Sequence, residues 1–479
     1  MTDVGTVPGT PAAAGSIPGP RVLSWQDIRA VRADAPGWVT ALRERHGSVV
    51  QFPLGPAPCY LVTNPEVIQE AFVSAERLFS RNVIRVGRGP EDWAAPLAGI
   101  LGRGLLTSTG AFHMGQRRRI QPVFHRKRID GYAAEFSAHS EHASGQWRDG
   151  QQIDVYAQMH ELALGMAAKT LFDASLDDDI SRTIRSAFPR KGGPLVWEAK
   201  VPLGRFDVTL PLPSTLKYRR ARKLVDKVVY RIIKDRRAGD LAGNDLLSVL
   251  LTVEDAQTGE RMDDDLVRDE AVTLLIAAHE TVAATLTFAF YLLGQHAWVR
   301  ERMQAELDEV LGGRLPEGAD LPRLVWTNAV VSEVLRVFPP AWATARRTLT
   351  EFTADGYVLP ADSFTLFSGW VVHRDPQWWP DPERFAPQRW IEAAEGEQDE
   401  LAGHALQPGR PRMAYMPFGA GPHQCIGNAF ARMEAVMVLA TIMQGWDLEP
   451  VDEGPVTLQT HVTLRPRKPI HVTVRRRSH

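Results

Sequence analysis

Residues Pro417 to Gly427 read PFGAGPHQCIG and open onto the helical pattern Ala429 to Gln444. Three glycines, at 419, 421 and 427, give the backbone freedom to turn closely under a flat ligand. Cys425 stands just before the helix, where unpaired N–H groups and the positive end of the dipole favour a thiolate over a thiol. A lone cysteine is most often a small buried hydrophobe, and Cys59, inside the apolar run Val49 to Val62, reads that way. These are the only two cysteines, so no disulfide framework exists and a reducing cytoplasm is the expected setting.

The spacing Phe418, Gly421, Cys425, Gly427 resembles the cysteine-ligand loop of the cytochromes P-450. The resemblance implies haem b (iron protoporphyrin IX), with the Cys425 sulfur as the axial iron ligand pushing electron density toward O–O cleavage. It also implies that Phe418, Gly419, Gly427 and Ala277 lie against the haem. His423, two residues before the cysteine where the family often has Arg, is expected at a haem propionate.

Three further segments carry the same resemblance. In AAHETVAAT, Ala277 to Thr285, Glu280 and Thr281 stand in the acid and alcohol places of the family's oxygen-activation motif. An acid and a hydroxyl within one helical turn can supply protons to bound dioxygen. Ala278 occupies a usual Gly position and Val282 a frequent Thr position. In FHMGQRRRIQPVF, His113 and Arg117 lie one turn apart on one helix face and resemble the propionate-binding helix. Arg347 in ATARRTLT resembles the strand arginine that pairs a propionate, with Arg346 as the other candidate. Finally, Glu333 and Arg336 in SEVLRVFPP, with Arg384 of the PERF run, resemble a buried Glu-Arg-Arg triad of structural role. On their own such i, i+3 pairs are usually surface ion pairs.

Outward from these motifs, helical patterns run over Ala111–Ile129, Met159–Phe172, Leu216–Arg237, Asn244–Val253, Asp264–Gln295, Trp298–Leu311 and Trp326–Phe338. A hairpin is expected in Val49 to Val62. Short strands are expected at Gly356–Leu359 and Phe364–Phe367 around a Pro-Ala-Asp turn, and again in Thr457–Leu464 and Ile470–Val474. Arg190 to Pro213 and Glu392 to Arg412 read as loops. The fold class is therefore mainly α with minor β; the resemblance implies the cytochrome P-450 fold, an α-rich lobe with a smaller β-rich lobe. Residues 1–16, rich in Gly, Pro, Thr and Ala, read as a flexible leader, and 17–479 as a single haem domain.

A net charge of −2 gives no global field toward nucleic acid or an anionic membrane. The apolar stretch Ala271 to Leu293 is long enough to cross a bilayer, but His279 and Glu280 near its centre favour a buried core helix carrying a functional site. The expected reaction inserts one oxygen atom of O2 into a hydrophobic substrate, a terpenoid or similar natural product. Electrons are expected from NAD(P)H through a separate ferredoxin and ferredoxin reductase, docked near Arg117, Arg118 and Arg119. Pocket-lining residues are expected among Ile84, Val86, Leu97, Leu274 and Trp342. An isomerase, dehydratase or peroxygenase would keep the cysteine loop but often discards the acid-alcohol pair, and a haem sensor or carrier would need no proton relay.

Overall fold

The computed structural model describes residues 16–53, 58–85, 93–94, 97–173, 213–239, 245–255, 257–391, 398–399, 404–405, 409–451, 454–460 and 462–477. Its longer helices are α1 (Trp25–Ala33), α2 (Ala35–His46), α3 (Pro65–Val73), α4 (Gly110–Ile120), α5 (Ala133–Gly145), α6 (Val155–Phe172), α7 (Pro213–Ala238), α8 (Leu246–Thr252), α9 (Asp264–Gln295), α10 (Ala297–Leu311), α11 (Val325–Val337) and α12 (Asn428–Gly445).

Helix α9 organises the α-rich part. Its start is set by Asp263, whose side chain accepts the Leu266 N–H, and by Asp264 and Asp265 in the first turn at the positive end of the dipole. No proline interrupts it before His296. Helix α9 is long and apolar enough to cross a membrane by composition, yet 72% of that apolar window is buried inside the protein. A helix apolar on every side belongs in a core. Val282 to Phe290 and Leu292 to Leu293 pack with α5, α6, α10, α11 and α12 in the largest hydrophobic cluster. The N-terminal half of α9 packs with α6, α7 and α8 in a second cluster.

The helical stretch expected over Ala111–Ile129 is broken. Helix α4 ends at Ile120, a 3-10 turn covers Gln121–Phe124, and a short turn of helix resumes at Arg126–Ile129. Pro122 is the cause, since it lacks an N–H and disfavours helical geometry before it. Conversely, α6 starts four residues before the apolar pattern does, because Asp154 caps it by accepting the Ala157 N–H.

The strands that build the sheets described below are β1 (Val49–Pro53), β2 (Pro58–Val62), β3 (Phe79–Ser80), β4 (Gln152–Asp154), β5 (Thr344–Thr348), β6 (Phe352–Ala354), β7 (Tyr357–Leu359), β8 (Phe364–Phe367), β9 (Trp446–Pro450), β10 (Leu458–Thr460), β11 (Leu464–Pro466) and β12 (His471–Arg476). The expected hairpin forms, with Val49 opposite Val62. It is extended into a sheet of order β1-β2-β8-β5-β3, in which β8 runs parallel to β2. The strands flanking the Pro-Ala-Asp turn do not pair with each other: β7 pairs with β6, while β8 joins the larger sheet. Strands β9, β12 and β4 form a second sheet, and β10 and β11 a separate hairpin. Cys59, on β2, is buried and packs in a cluster with Phe52 and Leu61. The Arg190 to Pro213 stretch up to residue 212, most of Glu392 to Arg412, and residues 1–15 of the leader lie outside the described residues.

Candidate active site

The loop before α12 is shaped by its glycines and its backbone. The Cys425 N–H donates to the Phe418 carbonyl at 2.9 Å, closing the loop on itself. Gly419 and Gly421 sit at φ +66° and +68°, conformations that L side chains rarely adopt. At Gly421 a Cβ would fall 2.1 Å from the Phe72 carbonyl oxygen of α3, so no larger residue fits. Gly427 has ordinary φ, and a Cβ there would meet Phe124 at 3.7 Å. Its missing side chain is not demanded by neighbouring protein atoms; it leaves room beside the sulfur.

Cys425 is accessible, yet it is set deep among its neighbours. That burial pushes the thiol up, against the expectation of a preformed thiolate; the Gly427 N–H and the Arg117 guanidinium pull the other way without prevailing. A coordinated iron would counter this burial, since a metal deprotonates a thiol that it binds.

Arg117 reaches the loop itself, donating from Nη1 to the Gln424 carbonyl at 2.7 Å. His113, one turn earlier on α4, lies against His423 with ring centroids 4.0 Å apart. Burial, then Arg81 and Arg117, lower His113 to about 4; burial, then Arg81, His113, Arg346 and Arg117, lower His423 to about 2. Arg346 is lowered well below its usual value by burial and by Arg81. Its partners are the Thr344 hydroxyl at 2.7 Å, the Ala345 carbonyl at 2.9 Å and the Phe72 ring at 5.4 Å, none of them a carboxylate. Five basic groups thus converge and make one another costly to charge, as expected around a site for a bound anion.

Two sequence expectations change here. Arg347 leaves this cluster: successive strand residues face opposite ways, and Arg347 pairs with Asp362 at 2.6 Å and the Asn82 carbonyl at 3.1 Å. Arg346 takes its place. The three successive arginines of α4 also fail to make one exposed cationic face, because Arg117 turns inward while Arg118 and Arg119 both approach Asp255, at 3.3 and 3.5 Å. Arg81, which donates to the Leu106 carbonyl at 2.7 Å, was not legible as a site residue, since it follows the two-residue strand β3 and belongs to no motif.

A rigid frame holds this loop from behind. Glu333 and Arg336 are both fully buried, and the guanidinium of Arg336 grips the carboxylate through Nε at 2.9 Å and Nη2 at 2.8 Å. The third member is Arg389, 3.0 Å from Glu333 Oε1, and not Arg384. Arg384 contributes only its carbonyl, which accepts from Arg336 and Arg389. The chain carries two similar runs, Pro382-Glu383-Arg384-Phe385 and Pro387-Gln388-Arg389-Trp390, and the second supplies the side chain. The Ala386 N–H and the Trp390 indole complete the carboxylate's partners, at 3.0 and 2.8 Å. Burial alone would raise Glu333; Arg336, Arg389 and the Ala386 N–H outweigh it and hold the group low. From Arg336 the frame continues: its carbonyl meets His373 Nδ1 at 3.2 Å, and His373 Nε2 accepts the Met416 N–H at 2.9 Å, one residue before the loop begins. With Nε2 accepting, Nδ1 carries the proton and the ring is neutral; burial and Arg336 lower it to about 3.

Across the site, α9 is buried on both sides of one interruption. Ala277 is exposed, and Ile276, Ala278, Glu280 and Thr281 are half-buried in an otherwise closed stretch. Ala278 and Ile426, the residue after the cysteine, pack on the same second cluster. The Thr281 hydroxyl donates to the Ala277 carbonyl at 2.8 Å. Glu280 accepts from the Thr463 hydroxyl at 2.8 Å and lies 3.7 Å from Arg465 Nη1. Of the expected pocket residues, Leu274 is buried, Leu97 and Trp342 are half-buried, and Val86 and the 190s loop lie outside the described residues.

The donor set fits a haem. Among the described residues no group of three His, Cys, Asp or Glu could hold a metal ion. A single accessible sulfur would suit an iron whose remaining ligands come with its cofactor, and the basic cluster would suit two propionates.

The protein-family profile described as Cytochrome P450 matches residues 14–474. The chain is 36% identical over 444 residues to the cyclooctat-9-en-7-ol 5-monooxygenase of Streptomyces melanosporofaciens, covering 92% of this chain and 90% of that protein. It is 31% identical over 461 residues to the pentalenene oxygenase of Streptomyces avermitilis, covering 95% and 94%. Among solved structures it superposes on a cytochrome P450DA heme domain with a TM-score of 0.82 at 24% identity, covering 98% and 99%. With its cysteine loop matched within a profile that spans nearly the whole sequence, this chain belongs to the cytochrome P450 family and is a haem-dependent monooxygenase.

Proposed function

We propose that the enzyme oxidises an apolar, ring-containing terpenoid, using haem b held by Cys425. The observation that carries this reading is the accessible Cys425 sulfur on its glycine-turned loop, beside the basic cluster of Arg81, His113, Arg117, Arg346 and His423. When bound, the haem supplies the activation of O2. Cys425 would hold the iron, with Phe418, Gly419, Gly427 and Ala277 against the haem; Arg117 and Arg346 would offset the propionate charge, and the uncharged His113 and His423 could hydrogen-bond to it. Glu280 and Thr281 hold protons at the opening in α9. Leu274, Leu97 and Trp342 exclude water from an apolar substrate. Relatives named for cyclooctat-9-en-7-ol and pentalenene support the substrate class.

A P450 monooxygenase needs an electron-donating partner. We assign this role to a ferredoxin reduced by an NAD(P)H-dependent reductase, acting in the cytoplasm on a single haem domain spanning 17–479. Two of the three arginines on α4 are offset by Asp255, so docking depends on cations beyond that triplet.

The test is Cys425→Ser. The purified parent should bind haem, give the ferrous carbonyl spectrum of a thiolate-ligated iron, and turn over with a surrogate ferredoxin pair. The serine variant should lose that spectrum. A variant that kept both spectrum and turnover would refute the assignment. Terpenes should perturb the ferric spectrum more strongly than polar ligands; the reverse order would overturn the substrate class.

A further inference from the structure

Helix α1 buries none of its residues, yet both of its ends are held. Ser24 caps it by accepting the Asp27 N–H at 3.1 Å, while the Asp27 carboxylate accepts the Ser24 N–H at 2.9 Å and the Trp38 indole N–H of α2 at 3.2 Å. At the other end Arg467, the residue after β11, donates to the Ala33 carbonyl. Asp34 serves α2, where it accepts the Gly37 N–H at 3.1 Å. Both acids of this region are therefore engaged by N–H groups.

The outer face has the opposite character. Val22, just before the helix, and Trp25 are each 80% exposed, more than any other large apolar side chain among the described residues. Arg29 and Arg32 follow Trp25 by four and seven residues, so all three share one stripe of the helix. Arg467, bound at the helix end, and its neighbour Lys468 are exposed as well. Among the described residues none of these four cations pairs with a carboxylate. The chain as a whole carries a net charge of only −2, so this positive face is a local feature. At such exposure Val22 and Trp25 stand out from the surface and line no groove, so a partner must yield around them.

We infer that the outer face of α1 is a docking surface for an anionic phospholipid membrane, in which Val22 and Trp25 enter the headgroup layer while Arg29, Arg32, Arg467 and Lys468 meet lipid phosphates. Tryptophan settles at the boundary between headgroups and acyl chains, and the guanidinium fork matches phosphate. A helix that presents arginines and a tryptophan lies in that plane without crossing it. The β10–β11 hairpin connects this face to the site. Arg467 Nε donates to the Leu458 carbonyl at 3.2 Å, and Thr463, just before β11, donates to Glu280 of α9 at 2.8 Å. Docking therefore sets the lipid surface one short hairpin from the opening in α9. An apolar substrate of the proposed class dissolves in that same layer, although the docking itself does not depend on that reading.

The experiment uses the haem-loaded full chain and vesicles of phosphatidylglycerol mixed equally with phosphatidylcholine, with pure phosphatidylcholine vesicles as the neutral comparison. Cosedimentation should recover the parent with the anionic vesicles and not with the neutral ones, and added salt should release it. Trp25→Ala should weaken binding about fivefold or more. The double variant Arg29→Gln, Arg32→Gln should weaken it about tenfold or more. Trp298→Ala, which removes an exposed tryptophan of α10, should bind as the parent does. The ferrous carbonyl spectrum checks that each variant is folded. Absence of parental binding to the anionic vesicles, the outcome expected if a protein partner covers this face instead, would overturn the inference. Equal binding to neutral vesicles would remove the role of the cations and overturn it too, and parental binding in both α1 variants would place the contact elsewhere on the surface. None of these results bears on the assignment of Cys425, which is read from the haem spectrum.

Discussion

Glu270, next to the half-buried Asp269 on α9, is fully buried. Its Oε2 accepts the Leu105 N–H at 2.9 Å, and its other oxygen has no partner among the described residues. Burial, with Asp269 adding to it, raises this acid to about 8. In the unfolded chain the same group ionises near its usual value, so between that value and about 8 the native state holds a proton that the unfolded state has lost. Stability from this site is therefore full in acid and drains away as pH rises through that window. Glu270→Gln should flatten the pH dependence of unfolding between about pH 5 and 9, and recover on the order of 3 kcal/mol relative to the parent at the alkaline end. Chemical denaturation at several pH values checks this; parallel curves would remove Glu270 as the cause.

At the scale of elements, the Glu333 frame ties α11 to the segment that precedes the cysteine loop. Removing a guanidinium from a buried carboxylate strands the charge, so Arg389→Met should cost about 3 to 5 kcal/mol. Arg384→Ala keeps the carbonyl that the frame uses and should cost less than about 1 kcal/mol. Equal costs would place Arg384 back in the frame. The loop is tied on its other side to α3 through the approach of Gly421 to the Phe72 carbonyl. Gly421→Ala combines positive φ with a backbone clash and should cost about 2 kcal/mol or more. It should also lower haem retention, because the loop cannot close without moving α3; thermal unfolding with a haem-content assay reads both.

Across the whole molecule, α9 is the member that every helical layer shares. Phe288 of α9 stacks on Phe338 at the end of α11, with centroids 4.3 Å apart and planes within 11°. Phe338 in turn approaches Trp370 beside the first sheet at 6.2 Å. Phe288→Ala should destabilise by about 3 to 5 kcal/mol through lost burial and the cavity left behind. Since the contact joins the helical core to the β-rich part, the variant should unfold at lower denaturant by both haem absorbance and far-ultraviolet circular dichroism. A drop seen by one probe alone would mean that the two parts are not joined through this stack.

Chain-local chemistry was enough for the long helices and for the cysteine loop. Helix α9 runs from Asp264 to Gln295 because a capping aspartate, two further acids and an unbroken apolar sequence all act within a few residues of one another. Likewise Phe418, the glycines and Cys425 sit in one short run, so their spacing carries the site with it. Strand alternation stated that Arg346 and Arg347 face opposite ways, but not which one meets His423; that followed only once β5 lay between β8 and β3. Nor could spelling choose Arg389 over Arg384, bring Arg81 to the histidines, or bring Thr463 and Arg465 to Glu280. Which buried charge a side chain meets depends on where distant backbone carries it, and neither residue type nor periodicity encodes that direction, so those partners were decided by the tertiary structure alone.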